Sequence, residues 1–268
     1  MYRSNLIQAL AFAAVAVFAA GNALAHGEAD ESVAEFHEHL DDYRAEIEAF
    51  IDEVEPVVAG YRADEDVQPM IDGLIDRWEE IAVHGAIETH AAPTYAGIWQ
   101  AMVSLQQATL EGASDQAVEA AAADVAASLW QGFGALRLAA ARVEAGTAPH
   151  DDHHAEAEAD AGPETVGRIV ADLDAAVEAY RAGDAGRAES LVEDAYMKRF
   201  EYLEGDLIEA DADLVRQLEM HFNATVPLLM QDNAPVDEVR DAVATMKTQL
   251  ERARQLLVEA ERARSEVF

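Results

Sequence analysis

Leu191-Val192-Glu193-Asp194-Ala195-Tyr196-Met197-Lys198-Arg199-Phe200-Glu201-Tyr202-Leu203-Glu204 decides the fold. Its apolar positions, Leu191, Val192, Ala195, Tyr196, Phe200 and Leu203, recur every three or four residues and therefore share one face of a helix. Ile71, Leu74, Ile75, Trp78, Ile81 and Ala82 repeat that period in the first half. No run alternates with period two, so the chain is read as all-α.

Working outward, breakers divide it into helices over 31–60, 67–90, 93–111, 114–145, 163–182, 184–204, 211–231 and 235–267. Pro69, Pro93, Pro163 and Pro235 suit first turns, where a missing amide costs nothing. Pro56 and Pro227 lie inside their patterns and predict an end or a kink. Two four-helix units follow, over 26–147 and 163–268, forming a bundle or an eight-helix array. A polar His/acidic linker, 148–162, carries His150, His153 and His154. Gly60-Tyr61-Arg62-Ala63-Asp64 resembles Ala179-Tyr180-Arg181-Ala182-Gly183, which suggests an internal repeat. Sliding the chain by 117 residues lays Leu74 on Leu191, Ile75 on Val192 and His84 on Glu201, after a two-residue shift. The tryptophans, at 78, 99 and 130, are expected in the core.

The 268 residues include 53 acidic and 18 basic side chains, a formal charge of −35. Such a field excludes nucleic acid, whose phosphates require a basic face, and favours cations. A saline milieu accounts for the same acids as surface solvation. Without cysteine there is no disulfide, iron–sulfur cluster or thiol nucleophile. At the start, Arg3, the apolar run Ala9–Ala20 and Ala23-Leu24-Ala25 predict a secretory signal peptide over 1–25. That run is too short to cross a bilayer, which needs roughly 20 residues. The expectation is an exported, periplasmic protein with no transmembrane segment after signal cleavage, its new terminus His26 able to chelate copper.

Helical bundles build metal sites from carboxylates and histidines on facing helices. Glu80, His84 and Glu88 are spaced by four with His90 just beyond, Glu201 and Glu204 by three, and Glu219 lies two before His221. A solvated face is the plainer reading of Glu80 and Glu88, and a hydrogen-bonded core histidine that of His84. Glu201 sits between Phe200 and Tyr202, and an inward carboxylate there needs a cation, a proton or an arginine. His84, Glu88, Glu201 and Glu204 together would suit iron or copper. The chain lacks G-x-S-x-G, H-E-x-x-H, P-loop and dinucleotide fingerprints. It also lacks the two E-x-x-H motifs of di-metal oxidases, so no enzyme is expected.

The second half, from Ala179-Tyr180-Arg181-Ala182-Gly183-Asp184 through Ala195-Tyr196, Phe200-Glu201-x-x-Glu204, Asp211-x-Asp213-Leu214-Val215 and Leu218-Glu219-x-x-Phe222, resembles the soluble periplasmic domain of bacterial high-affinity iron permeases. The likeness spans about 165–260. The permeases' R-E-G-L-E motif and transmembrane helices are missing. The resemblance implies a free-standing relative that binds iron and passes it to an inner-membrane permease. Carried over by position, Glu201, Glu204 and Glu219, then Asp211 and Asp213, become candidate ligands beside His84, Glu88 and His221. The alternative is a structural or protein-interaction module whose acids only keep it solvated.

Overall fold

The structure, a computed structural model, describes residues 35–147 and 162–266. The expected signal peptide, His26 and the linker histidines lie outside them. The described residues are helical throughout, with no strand. After a 3-10 turn at Phe36–Glu38 come α1 (Leu40–Arg62), α2 (Gln68–Glu80), α3 (Ala82–Leu110) and α4 (Asp115–Glu144). In the second half α5 (Pro163–Arg181) and α6 (Ala185–Ala195) lead through a π-helical turn, Tyr196–Phe200, into α7 (Glu201–Met220). A second π turn, His221–Thr225, leads into α8 (Val226–Gln231), and α9 (Val236–Glu266) closes the chain.

Local chemistry sets most of these boundaries. Ser114 accepts a hydrogen bond from Ala117 N and Asp184 one from Arg187 N, capping α4 and α6. Pro69 and Pro163 occupy first-turn positions. Contrary to expectation, α1 runs through Pro56 without ending, and it starts at residue 40 rather than 31. The helix expected over 67–90 is two helices, because Ile81 is extended (φ −87°, ψ 142°). The cause is tertiary: the Glu46 carboxylate, on α1, accepts from the amides of Ala82 and Val83 and caps α3 from across the bundle. α3 then bends at Ala91, two residues before Pro93. α7 bends at Asp211 (φ −164°, ψ 79°), whose carboxylate accepts from Leu214 N and caps the helix's second segment.

The halves are built alike. The Tyr61 hydroxyl donates to the Ala113 carbonyl at 2.6 Å, and the Tyr180 hydroxyl to the Ala234 carbonyl at 2.7 Å. The residue three beyond each tyrosine, Asp64 or Gly183, has positive φ, as do Gly112 and Asn233 just before the accepting alanines. The two-residue shift in the sequence overlay has a simple origin, since the first connection spans 63–67 and its counterpart only 182–184. Register changes again further on. Counted from the bends at Ala91 and Asp211, His84 matches Glu204, each seven residues ahead, rather than Glu201.

α3 and α4 form the most extensive helix pair, with α1 laid across α4 and α2; α5 packs on α6 and α9, and α9 on α7. The halves meet where α3 lies against the 221–225 turn. Gln100 Nε2 donates to the Asn223 carbonyl there, and one cluster of buried apolar side chains runs through both halves. Trp78 and Trp99 are fully buried in it, but Trp130 is 40% exposed on α4, against expectation. Among the described residues no helix is long and apolar enough to cross a membrane.

Candidate metal centre

Where the halves meet, four glutamates and a histidine converge. α2 contributes Glu79, α3 His84 and Glu88, and α7 Glu204 and Glu219. Two groups result. Ligand atoms of Glu79, His84 and Glu219 lie within 4.8 Å of one another, and so do those of Glu88, Glu204 and Glu219. Helical phase brings them inward. On α2, Glu79 follows Ile75 by one turn, on the stripe of Ile71, Leu74, Ile75 and Trp78. His84 and Glu88 are one turn apart on α3. The two π turns bracket α7, and such turns re-aim side chains at functional sites.

Aromatic side chains wall the cluster from water. The Trp78 and His84 rings stand 5.0 Å apart, Tyr95 stacks on Tyr196 at 6.1 Å, and Phe200 and Phe222 pack behind Tyr196. His84 Nε2 lies 2.7 Å from the Tyr95 hydroxyl, and the Tyr196 hydroxyl donates to Glu88. Asn223 Nδ2 donates to the Glu219 carbonyl and pins that turn of helix. Among the described residues three carboxylate oxygens find no donor, Glu79 Oε1, Glu204 Oε1 and Glu219 Oε2, although the Glu79 and Glu219 carboxyls are close enough to bond each other when one is protonated. Glu204 and Glu219 are 7% and 2% exposed, so these orphan oxygens are deep in the protein.

Electrostatics follow from that geometry. Burial, the largest influence, raises the carboxyl pKa of Glu79 and Glu88 to about 7, while hydrogen bonds from Tyr196 and Tyr95 partly restrain Glu88. Burial and neighbouring carboxylates push Glu204 and Glu219 well above the ordinary value. Burial lowers His84 to about 4, leaving a neutral imidazole, the form that binds metals. Arg216 bears on Glu79 from nearby but is already bonded to Asp76 and Asp213. The cluster is thus a desolvated set of carboxyl groups for which the described residues supply no dedicated counter-ion. Such a set holds protons or takes a cation, and carboxylate oxygens with one imidazole suit first-row divalent ions and iron.

No protein-family model, curated protein or solved structure matches the chain.

The candidates from sequence are placed unequally. His84, Glu88, Glu204 and Glu219 stand in the two groups. Glu201 stands at their edge, half-buried, its pKa raised to about 7 by burial and by the charge of Glu88. Asp211 is a helix cap, Asp213 pairs with Arg216, and His221 Nδ1 bonds the Gln217 carbonyl at 2.6 Å. The solvated face read for Glu80 and Glu88 holds for Glu80, exposed beside Arg77, but not for Glu88, because the Ile81 break ends the helix that their spacing assumed. His90 instead stacks on Phe36 at 3.9 Å. Sequence reasoning missed Glu79, although its place on the apolar stripe of α2 was a usable signal, and it passed over Tyr95.

Proposed function

We propose that the chain is a metal-ion-binding protein that takes iron, or copper, into the Glu/His centre between its halves. The observation that carries this reading is the pair of buried, partnerless carboxylate oxygens on Glu204 and Glu219, facing other carboxylates and a neutral histidine. Leaving such groups charged and uncompensated costs several kcal/mol each, about what a bound cation returns. Export to the periplasm rests on the Arg3 to Ala25 pattern, and delivery to an inner-membrane iron permease on the resemblance of the second half. Binding and handover require no catalytic step.

Calorimetric titration with Fe(II) under anaerobic conditions, Fe(III)-citrate, Cu(II), Mn(II) and Ca(II) tests it. Sub-micromolar binding of iron or copper is expected. It should be lost in Glu204→Gln/Glu219→Gln and kept in Asp211→Asn/Asp213→Asn, which changes only a cap and a surface pair. Weak, salt-sensitive uptake that is indifferent to both variants would defeat the proposal. It would leave the second reading, a protein-interaction module, favoured by Trp130 and Leu138, which are two turns apart and exposed on the outer face of α4.

A further inference from the structure

We propose that the centre is dinuclear: one divalent metal ion held by Glu79, His84 and Glu219, a second by Glu88, Glu204 and Glu219, with the Glu219 carboxylate bridging them. The inference deepens the metal-binding reading and rests on it.

Three observations favour two ions over one. First, the two ligand groups are separate triads that share a single residue, and Glu219 has two oxygens to divide between them. Carboxylate-bridged metal pairs sit roughly 3.5–4 Å apart, a span that one bridging carboxylate covers. Second, the charges balance. Glu79, Glu88, Glu204 and Glu219 carry four negative charges when ionised, and His84 carries none. One divalent ion would leave two of the carboxyls among Trp78, Tyr95, Tyr196 and Phe222 to be neutralised by protons, whereas two divalent ions offset all four in the ionised form that ligates metal. Arg216 does not change this count, being bonded to Asp76 and Asp213. Third, the orphan oxygens are distributed as two sites require. Glu79, which belongs to the first triad alone, carries an orphan oxygen, as do Glu204, in the second alone, and Glu219, which both share. Glu204 and Glu219 are each more than nine-tenths buried, so water does not satisfy them from bulk.

Three protein ligands per ion leave coordination positions for water or a small anion, as in open metal sites. The arrangement differs from bundles that draw E-x-x-H pairs from two helices. Here the single histidine lies four residues before Glu88, and the remaining donors come from α2 and α7.

Mn(II) is the probe. Equilibrium dialysis of the full protein with metal analysis should give two ions per chain. Low-temperature electron paramagnetic resonance of the loaded protein should show the multiline signal of an exchange-coupled pair. Glu79→Gln and Glu204→Gln should each retain one ion, with the signal of isolated Mn(II). Glu219→Gln should weaken both sites about a hundredfold, at least the loss expected from disturbing a metal's outer shell. Circular dichroism of each variant checks that the helices persist, and the wild-type stoichiometry and coupling stand whether or not a variant folds. A single uncoupled ion, lost in all three variants, would overturn the dinuclear assignment and leave metal binding intact. No bound Mn(II), Fe(II), Fe(III) or Cu(II) would overturn both.

Discussion

At the scale of the residue, the cluster fixes a direction for stability against pH. Burial holds the Glu79, Glu88 and Glu201 carboxyls near 7 and pushes those of Glu204 and Glu219 well above the ordinary value of 4.5. The folded, metal-free protein therefore keeps protons that the unfolded chain releases above pH 4.5. Their contribution to stability is full below 4.5 and is lost as pH rises through 7. His84, lowered from 6.5 to about 4, runs the other way, favouring the folded state above 6.5 and losing that contribution as pH falls toward 4. Five carboxyls outweigh one imidazole. In the presence of chelator, urea denaturation should show lower stability at pH 8 than at pH 5. Glu79→Gln removes one of the protons and should flatten that slope, whereas the general repulsion among surface acids stays unchanged. Equal slopes in the two proteins would mean that Glu79 is not desolvated. The same residues show what a single sequence carries. Glu204 and Glu219 were candidates through the Phe200-Glu201-x-x-Glu204 and Leu218-Glu219-x-x-Phe222 motifs, and each proves to sit on an apolar face, where a carboxylate has no ordinary reason to be. Glu79 has that signature too, but Glu80 matched the four-residue spacing to His84 and drew attention away from it.

The element scale explains that error. A spacing rule holds only within one continuous helix, and the break at Ile81 separates Glu80 from His84. Nothing local marks that break, neither glycine, proline nor a capping side chain, because its cap is Glu46 on another helix. The π turns at 196–200 and 221–225 are equally silent in sequence, since the residues within them would suit an ordinary helix. The bends beside Pro93 and at Asp211 were readable, because a missing amide and an N-cap carboxylate are local chemistry. Asp211 also separates folding from binding. Asp211→Ala should cost about 1 kcal/mol through the lost cap, seen as a lower urea midpoint. Metal stoichiometry should not change, because Asp211 bonds Leu214 N and belongs to neither ligand group. Loss of metal in that variant at unchanged stability would place Asp211 among the ligands after all.

For the whole molecule, the question is whether two similar halves behave as one. The all-α class and the doubled plan could be read from periodicity and from the two Tyr-Arg-Ala turns. The interface could not, because no local pattern states that α3 packs on the 221–225 turn or that Glu88 meets Tyr196. Those contacts, with the continuous apolar cluster, predict a single cooperative transition. The chain contains its own reporter. Trp78, Trp99 and Trp130 all lie in the first half, so tryptophan fluorescence follows that half, whereas far-ultraviolet circular dichroism follows the helices of both. The two probes should give coincident urea midpoints. Ligands from α2 and α3 in one half and from α7 in the other mean that metal stabilises the assembled pair. A cation at a hundred times its dissociation constant adds about 2.7 kcal/mol, and both midpoints should rise together by that energy divided by the m-value of the transition. Fluorescence and dichroism that part company, with metal shifting only one, would show that the halves fold separately and that the centre is not built from both.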